Sequence, residues 1–194
     1  MANLRTVGYM TLLLITGHSA AGKTTAAEEL QELRPDLIVF DQDRVCAPLT
    51  GAALSLVGVS SHSRGGIAYA RLRDAEYVTL LRCAEAVLSR GKDVALVAPF
   101  WPEMNGRENS SDRDFHRLAA GLGHEVRSAW LTCSPATRRA RLLDCGLAPA
   151  EAEDDNTTSW IATLQDPPAG RVDRIIPTDD TPPANVAAKL EQLL

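Results

Sequence analysis

The chain has 194 residues, 45% of them hydrophobic and 23% charged, with a formal net charge of -5. That length suits one α/β domain with a sheet buried between helix layers. The acidic balance argues against a general nucleic-acid or acidic-membrane binder, while leaving room for a local basic pocket around a small anion.

No run reaches the roughly 18 apolar residues of a membrane span, and the Met1–Met10 segment lacks a signal-peptide profile. Cys46, Cys83, Cys133 and Cys145 form neither a C-x-x-C pair nor a zinc-spaced set with histidine, which predicts reduced thiols in a cytoplasmic protein. Residues 1–9 read as a tail and 10–194 as one domain.

Met10–Ile15 is an apolar run that predicts the first strand. It leads into Gly17-His18-Ser19-Ala20-Ala21-Gly22-Lys23-Thr24, followed by Thr25, which fits G-x-x-x-x-G-K-[ST] at every fixed position, the pattern of a phosphate-binding loop. Two glycines let the backbone turn tightly enough to aim several N–H groups at one phosphate, and the following helix presents its positive end. Lys23 brings a mobile charge to the β- and γ-phosphates, and Thr24 places a hydroxyl for magnesium. His18 holds a free position, with its side chain expected to point away from phosphate.

After the loop, Ala26, Ala27, Leu30 and Leu33 recur at helical spacing until Pro35. Leu37–Phe40 predicts a second strand, and Asp41-Gln42-Asp43-Arg44 puts two acids at its carboxyl end, the rim where open α/β sheets bind ligands. Residues 46–66 give mixed signals and read as a mobile or partly helical connection. Ile67–Arg90 is a long amphipathic helix closed by Gly91. Val94–Ala98 is a third strand, apolar throughout as a central parallel strand should be.

Pro99–Ser111 is long and irregular for a strand-to-helix loop and reads as a substrate loop. Asp112–Ala120 predicts a helix and Val126–Thr132 a fourth strand. Ser134-Pro135 supplies a cap and first-turn proline for a helix carrying Arg138, Arg139 and Arg141. A short helix over Asn156–Leu164, a fifth strand over Val172–Ile176 and a last helix after Thr181-Pro182 complete the chain. The alternation, without hairpin turns, predicts a parallel sheet of about five strands with helices on both faces.

With its loop, the D-x-D after the second strand and an Arg-rich helix after the fourth, the chain resembles the small P-loop kinases of metabolites and antibiotics. That group includes shikimate kinase, adenylylsulfate kinase, chloramphenicol phosphotransferase and the zeta-toxin-like kinases. The resemblance covers nearly the whole chain from Met10 and implies a P-loop NTPase fold with a helical lid at about 135–156. It implies ATP and Mg2+, a phosphate loop from Gly17 to Thr25, and magnesium on Thr24 and, through water, Asp41. Asp43 would orient or deprotonate an acceptor hydroxyl, Lys23, Arg138 and Arg141 would act on the transferring phosphate, and Arg139, Pro177 and Thr178 would complete the nucleotide site.

The chain departs from these relatives at Cys145-Gly146, where they often carry Arg-Gly, and in the third strand, VALVAPF, which lacks a Walker B acid. For the acceptor, the candidates are Asp41, Asp43, Arg64, Arg71 and Arg73 before or on the long helix, and Phe100, Trp101, Glu103 and Arg107 in the irregular loop. His62 and Cys46 are further candidates. The resulting expectation is a phosphotransferase moving the γ-phosphate of ATP to a hydroxyl of a small molecule, in a monomer or homodimer without nucleic-acid or membrane partners. The alternatives are a nucleoside or nucleotide kinase and a nucleotide-binding switch.

Overall fold

The computed structural model describes residues 9–59, 66–101, 104, 121, 123–146, 155–167 and 170–194. Its strands are β1 (Thr11–Thr16), β2 (Ile38–Asp41), β3 (Val94–Val97), β4 (Glu125–Thr132) and β5 (Arg174–Pro177). They form one all-parallel sheet in the order β2-β3-β1-β4-β5. The described helices are α1 (Lys23–Leu33), α2 (Gln42–Leu56), α3 (Gly66–Leu88), α4 (Pro135–Asp144), α5 (Asp155–Thr163) and α6 (Pro183–Glu191). The architecture is the predicted α/β sheet. The helix expected over 112–120 lies outside the described residues, and no described helix is long and apolar enough to cross a membrane.

β1 takes the centre because its sequence suits burial on both faces, and all of Thr11–Thr16 is buried. Successive side chains point to opposite faces of a strand. Leu12 and Leu14 therefore enter one core with Tyr77, Leu80, Ala84 and Leu88 of α3. Leu13 and Ile15 enter another with Ala26, Ala27 and Leu30 of α1 and Val186 and Leu190 of α6.

The segment after Cys46 is partly helical, as one of its two readings expected: a 15-residue helix starts directly off β2 and runs to Leu56. Asp41 caps it, accepting the Asp43 N–H at 2.9 Å, which satisfies an otherwise orphaned donor. Pro48 lies within this helix on an exposed face, so local propensity pointed away from a helix that the cap and the packing of Cys46, Thr50 and Leu54 nevertheless support.

The strand order also locates the crevice. β1 and β3 lie side by side, yet β1 connects to β2 on one side of the sheet and β3 connects to β4 on the other. Connections leaving neighbouring strands in opposite directions open a cleft beyond their carboxyl ends. The phosphate loop, the D-Q-D segment and the turn after β3 all lie there.

Candidate active site

The phosphate loop is anchored by its own backbone, by its own Lys23 and by three side chains from elsewhere. Gly17 has φ 137°, and a Cβ there would sit 2.3 Å from the Leu131 carbonyl oxygen of β4, so only glycine fits. Gly22, at φ 87°, caps α1. The carbonyls of residues 18 to 21 then each meet a side-chain donor. Lys23 Nζ donates to His18 at 2.8 Å, Arg138 donates to Ser19, Arg141 Nη1 donates to Ala20 at 3.3 Å, and the Thr178 hydroxyl lies 3.0 Å from the Ala21 carbonyl. With these carbonyls tied to protein, the loop's remaining amides are the groups left for an anion, as a phosphate cradle requires.

Thr178 joins the loop to the sheet. Its N–H donates to the Thr132 carbonyl at 2.9 Å, and its hydroxyl accepts Arg141 Nη1 at 2.9 Å while Arg141 Nη2 donates to its carbonyl at 2.7 Å. Asp179, next in sequence, accepts the Ser134 N–H at 2.8 Å and the Thr137 hydroxyl at 2.6 Å. These hydrogen bonds hold its carboxyl down at about 2 and fasten the start of α4 to the loop after β5.

Thr24 Oγ1 donates to Asp41 Oδ2 at 2.8 Å. A hydroxyl and a carboxylate in contact beside a phosphate cradle are hard oxygen donors of the kind magnesium prefers, so these residues fit that ion. Burial pushes Lys23 down to about 8, against the opposing pull of Asp43 and Asp41.

One cavity of about 1100 Å³ runs along this rim. At one end it is lined by Lys23, Thr24, Arg141, Thr178 and Pro183, and at the other by Asp43, Tyr69, Arg73, Tyr77 and Trp101. Asp43 is exposed on the first turn of α2. Arg73 lies 5.9 Å from the centre of the Tyr77 ring, and its buried Nε has no hydrogen-bond partner among the described residues. Behind Asp41 and Asp43, buried Glu76 of α3 accepts hydrogen bonds from Gln42 and Thr50, tying α2 to α3.

An aromatic cluster separates the loop from the turn after β3. The His18 ring lies 4.6 Å from Trp101 and 5.0 Å, edge-on, from Trp130. Its Nε2 donates to the Gln165 carbonyl at 2.9 Å, and Trp130 Nε1 donates to Asp166 at 2.7 Å. Burial lowers the His18 pKa, so the ring is neutral near pH 7 and packs as an apolar body with one polar tip.

The expected site residues take several kinds of position. Arg138 is 3% exposed and lies beneath the loop on Ser19, while Arg141, clamped to Ala20 and Thr178, also lines the cavity. Both brace the cradle. Arg139 turns away to Thr158 of α5 at 3.1 Å, because one residue along a helix is a rotation of about 100°. Pro177 is exposed at the sheet end and does not line the cavity.

Phe100 is fully buried, with its ring 4.7 Å from Tyr77 and its N–H on the Tyr77 hydroxyl at 3.3 Å, which makes it a core residue. It adopts φ 43°, a left-handed conformation costing a bulky residue about 1–3 kcal/mol. Arg71 is exposed and off the cavity wall. Cys46 is buried and its thiol is pushed up to about 11 by burial. Arg64, Arg107, His62 and Glu103 lie outside the described residues. Thr181, Pro183 and Val186 line the cavity without any sequence signal.

Comparison with known proteins agrees with this geometry. An APS kinase of Mycobacterium tuberculosis, solved with AMPPNP and APS, superposes with a TM-score of 0.63 at 18% identity, covering 95% of this chain and 96% of that one. Shikimate kinase of Acinetobacter baumannii, solved with shikimate, gives 0.62 at 16% identity over 96% of this chain and 93% of its own. A sugar kinase from Janibacter sp. HTCC2649 gives 0.59 at 16% identity over 95% and 94%. At these identities the likeness is one of fold. No curated protein matches the chain. A family model described as an AAA domain spans residues 12–167, from β1 and the phosphate loop through α5 to the segment that holds His18 and Trp130. On that match the chain belongs to the AAA domain family.

Proposed function

We propose that this protein is a magnesium- and ATP-dependent phosphotransferase that moves the γ-phosphate to a hydroxyl of a small molecule. The observation that carries this reading is the continuity of the cavity, which joins Lys23 and Thr24 of the phosphate loop to Asp43, Tyr69 and Arg73 in one chamber of about 1100 Å³. A donor and a small acceptor can lie side by side in it. The APS kinase solved with AMPPNP and APS together supports it by showing that this fold accommodates both partners in that protein.

In this reading the loop amides and Lys23 bind the phosphates, and Thr24 and Asp41 would hold magnesium, which would supply neutralisation of the phosphate charge. Asp43 orients the acceptor hydroxyl and takes its proton. A carboxylate acting as general base contributes typically about 10²–10⁴-fold. Arg138 and Arg141 keep the cradle in shape through its carbonyls.

The test is an ADP-release screen over sugars, other hydroxylated metabolites, antibiotics and nucleosides, with Lys23→Ala as a control for donor binding. The expected result is acceptor-dependent release that vanishes in Lys23→Ala. Nucleotide turnover indifferent to every hydroxyl compound would favour the switch class and overturn the proposal.

A further inference from the structure

The acceptor end of the cavity has a flat wall, and the way it is held suggests what it faces. Trp101 lines the chamber with Asp43, Tyr69 and Arg73. Its ring packs against His18, which also lines the cavity, at 4.6 Å and against the buried Trp130 at 5.5 Å. Each brace is itself fixed, His18 through the Gln165 carbonyl and Trp130 through Asp166. The left-handed turn at Phe100 sends that ring into the core, while the next residue, Trp101, lines the cavity. A tryptophan present only to fill space needs neither a strained turn before it nor a histidine locked against it.

We propose that Trp101 is a stacking wall of the acceptor site, that His18 positions it, and that the acceptor is a hydroxyl compound carrying a planar ring, such as a nucleoside or an aryl glycoside. A preorganised indole binds a flat π-system without first being ordered, whereas ribose or an open-chain polyol offers it no π-face. His18 sits inside the phosphate loop, so the wall is built on the same segment that holds the donor, and the ring is seated in a fixed relation to the phosphate cradle. The inference rests on the kinase reading for the word acceptor, and on the cavity alone for the stacking.

The test uses matched pairs, adenosine against ribose and phenyl glucoside against glucose. Binding to the full chain loaded with MgADP, which keeps ring compounds out of the donor end, is followed by calorimetry and tryptophan emission. The ringed member of each pair is expected to bind about tenfold tighter or more, as base–aromatic stacking implies. That ratio should fall to within about threefold in Trp101→Leu, return in Trp101→Phe, and shrink in His18→Leu. A purely structural role would weaken all four compounds alike and leave the ratio unmoved.

Equal affinity within both pairs, failure of both ringed compounds to bind, or a ratio unchanged in Trp101→Leu would overturn the inference. Glucose matching phenyl glucoside would point instead to the apolar face of a pyranose. Ring-dependent binding with no acceptor-stimulated ADP release would remove the kinase reading and leave the wall standing. Full-rate transfer to ringless hydroxyl compounds with none to ringed ones would do the reverse.

Discussion

The two ends of the cavity are made of different material. The phosphate-loop end, the donor end in the proposed reaction, is backbone: a glycine wedged against β4 and four consecutive carbonyls held by Lys23, Arg138, Arg141 and Thr178. The other, the proposed acceptor end, is side chains, carried by α2, α3 and the turn after β3. Backbone sites tolerate little change because each atom is covalently committed to its neighbours, whereas a side-chain wall can be exchanged one residue at a time. The contrast teaches where this chain can vary its substrate without losing its nucleotide.

Substitutions can break or sharpen that contrast. The largest effect is expected from Gly17→Ala, whose Cβ would lie 2.3 Å from the Leu131 carbonyl in a left-handed backbone. A loss on the order of 5 kcal/mol in denaturant unfolding follows, and a loss under about 1 kcal/mol would remove the case for a rigid backbone cradle. Asp43→Asn attacks the other end, and should lower turnover on an acceptor about 10²–10⁴-fold, roughly 3–5 kcal/mol, with nucleotide affinity within about threefold. Equal losses in both would mean the two ends are not separable.

Thr178→Val removes the hydroxyl that links Arg141 to the loop carbonyls, with an expected cost of about 1–3 kcal/mol in thermal stability and a parallel weakening of nucleotide binding. The Lys23 ammonium supplies a pH test. Its folded-state value of about 8 lies below the usual 10.5, so the unfolded chain binds more protons between those values and stability should rise as pH climbs from about 8 to 10.5. Lys23→Met should flatten that rise and stabilise the protein near pH 7 by on the order of 1 kcal/mol, allowing for solvent in the cavity, while abolishing nucleotide binding. An unchanged pH profile would mean the amine is well solvated. Arg139→Ala should do least, within about 0.5 kcal/mol in stability and twofold in nucleotide affinity; a larger loss of affinity would return that residue to the site.

The donor end was legible because its determinants are local. The spacing of Gly17, Gly22, Lys23 and Thr24 specifies a backbone shape, and Asp41 and Asp43 follow a strand whose carboxyl end must face the same rim. The α/β alternation was legible for the same reason, through the period of apolar residues. What failed was the phase of side chains about their own axes. Arg138 and Arg141 share a helix face, three residues apart, and that spacing was a usable hint that Arg139 points elsewhere. Arg71 and Arg73 sit on different faces of α3, and only the second reaches the cavity. Phe100 and Trp101 are adjacent aromatics with opposite fates, decided by one left-handed residue that no propensity predicts. The role of Thr178 depends on where β5 ends relative to β4, a tertiary fact.

The contacts of Lys23 and Thr24 carry a thermodynamic consequence. Both hold protein partners at 2.8 Å, the His18 carbonyl and the Asp41 carboxylate. An ammonium has three protons, and a hydroxyl oxygen keeps its lone pairs while it donates, so a magnesium nucleotide would dock on both groups with these partners kept. The two contacts hold the side chains in place beforehand, and less conformational freedom is then left to lose on association. A weaker internal partner for Lys23 would raise that entropic cost without altering any atom that touches the ligand.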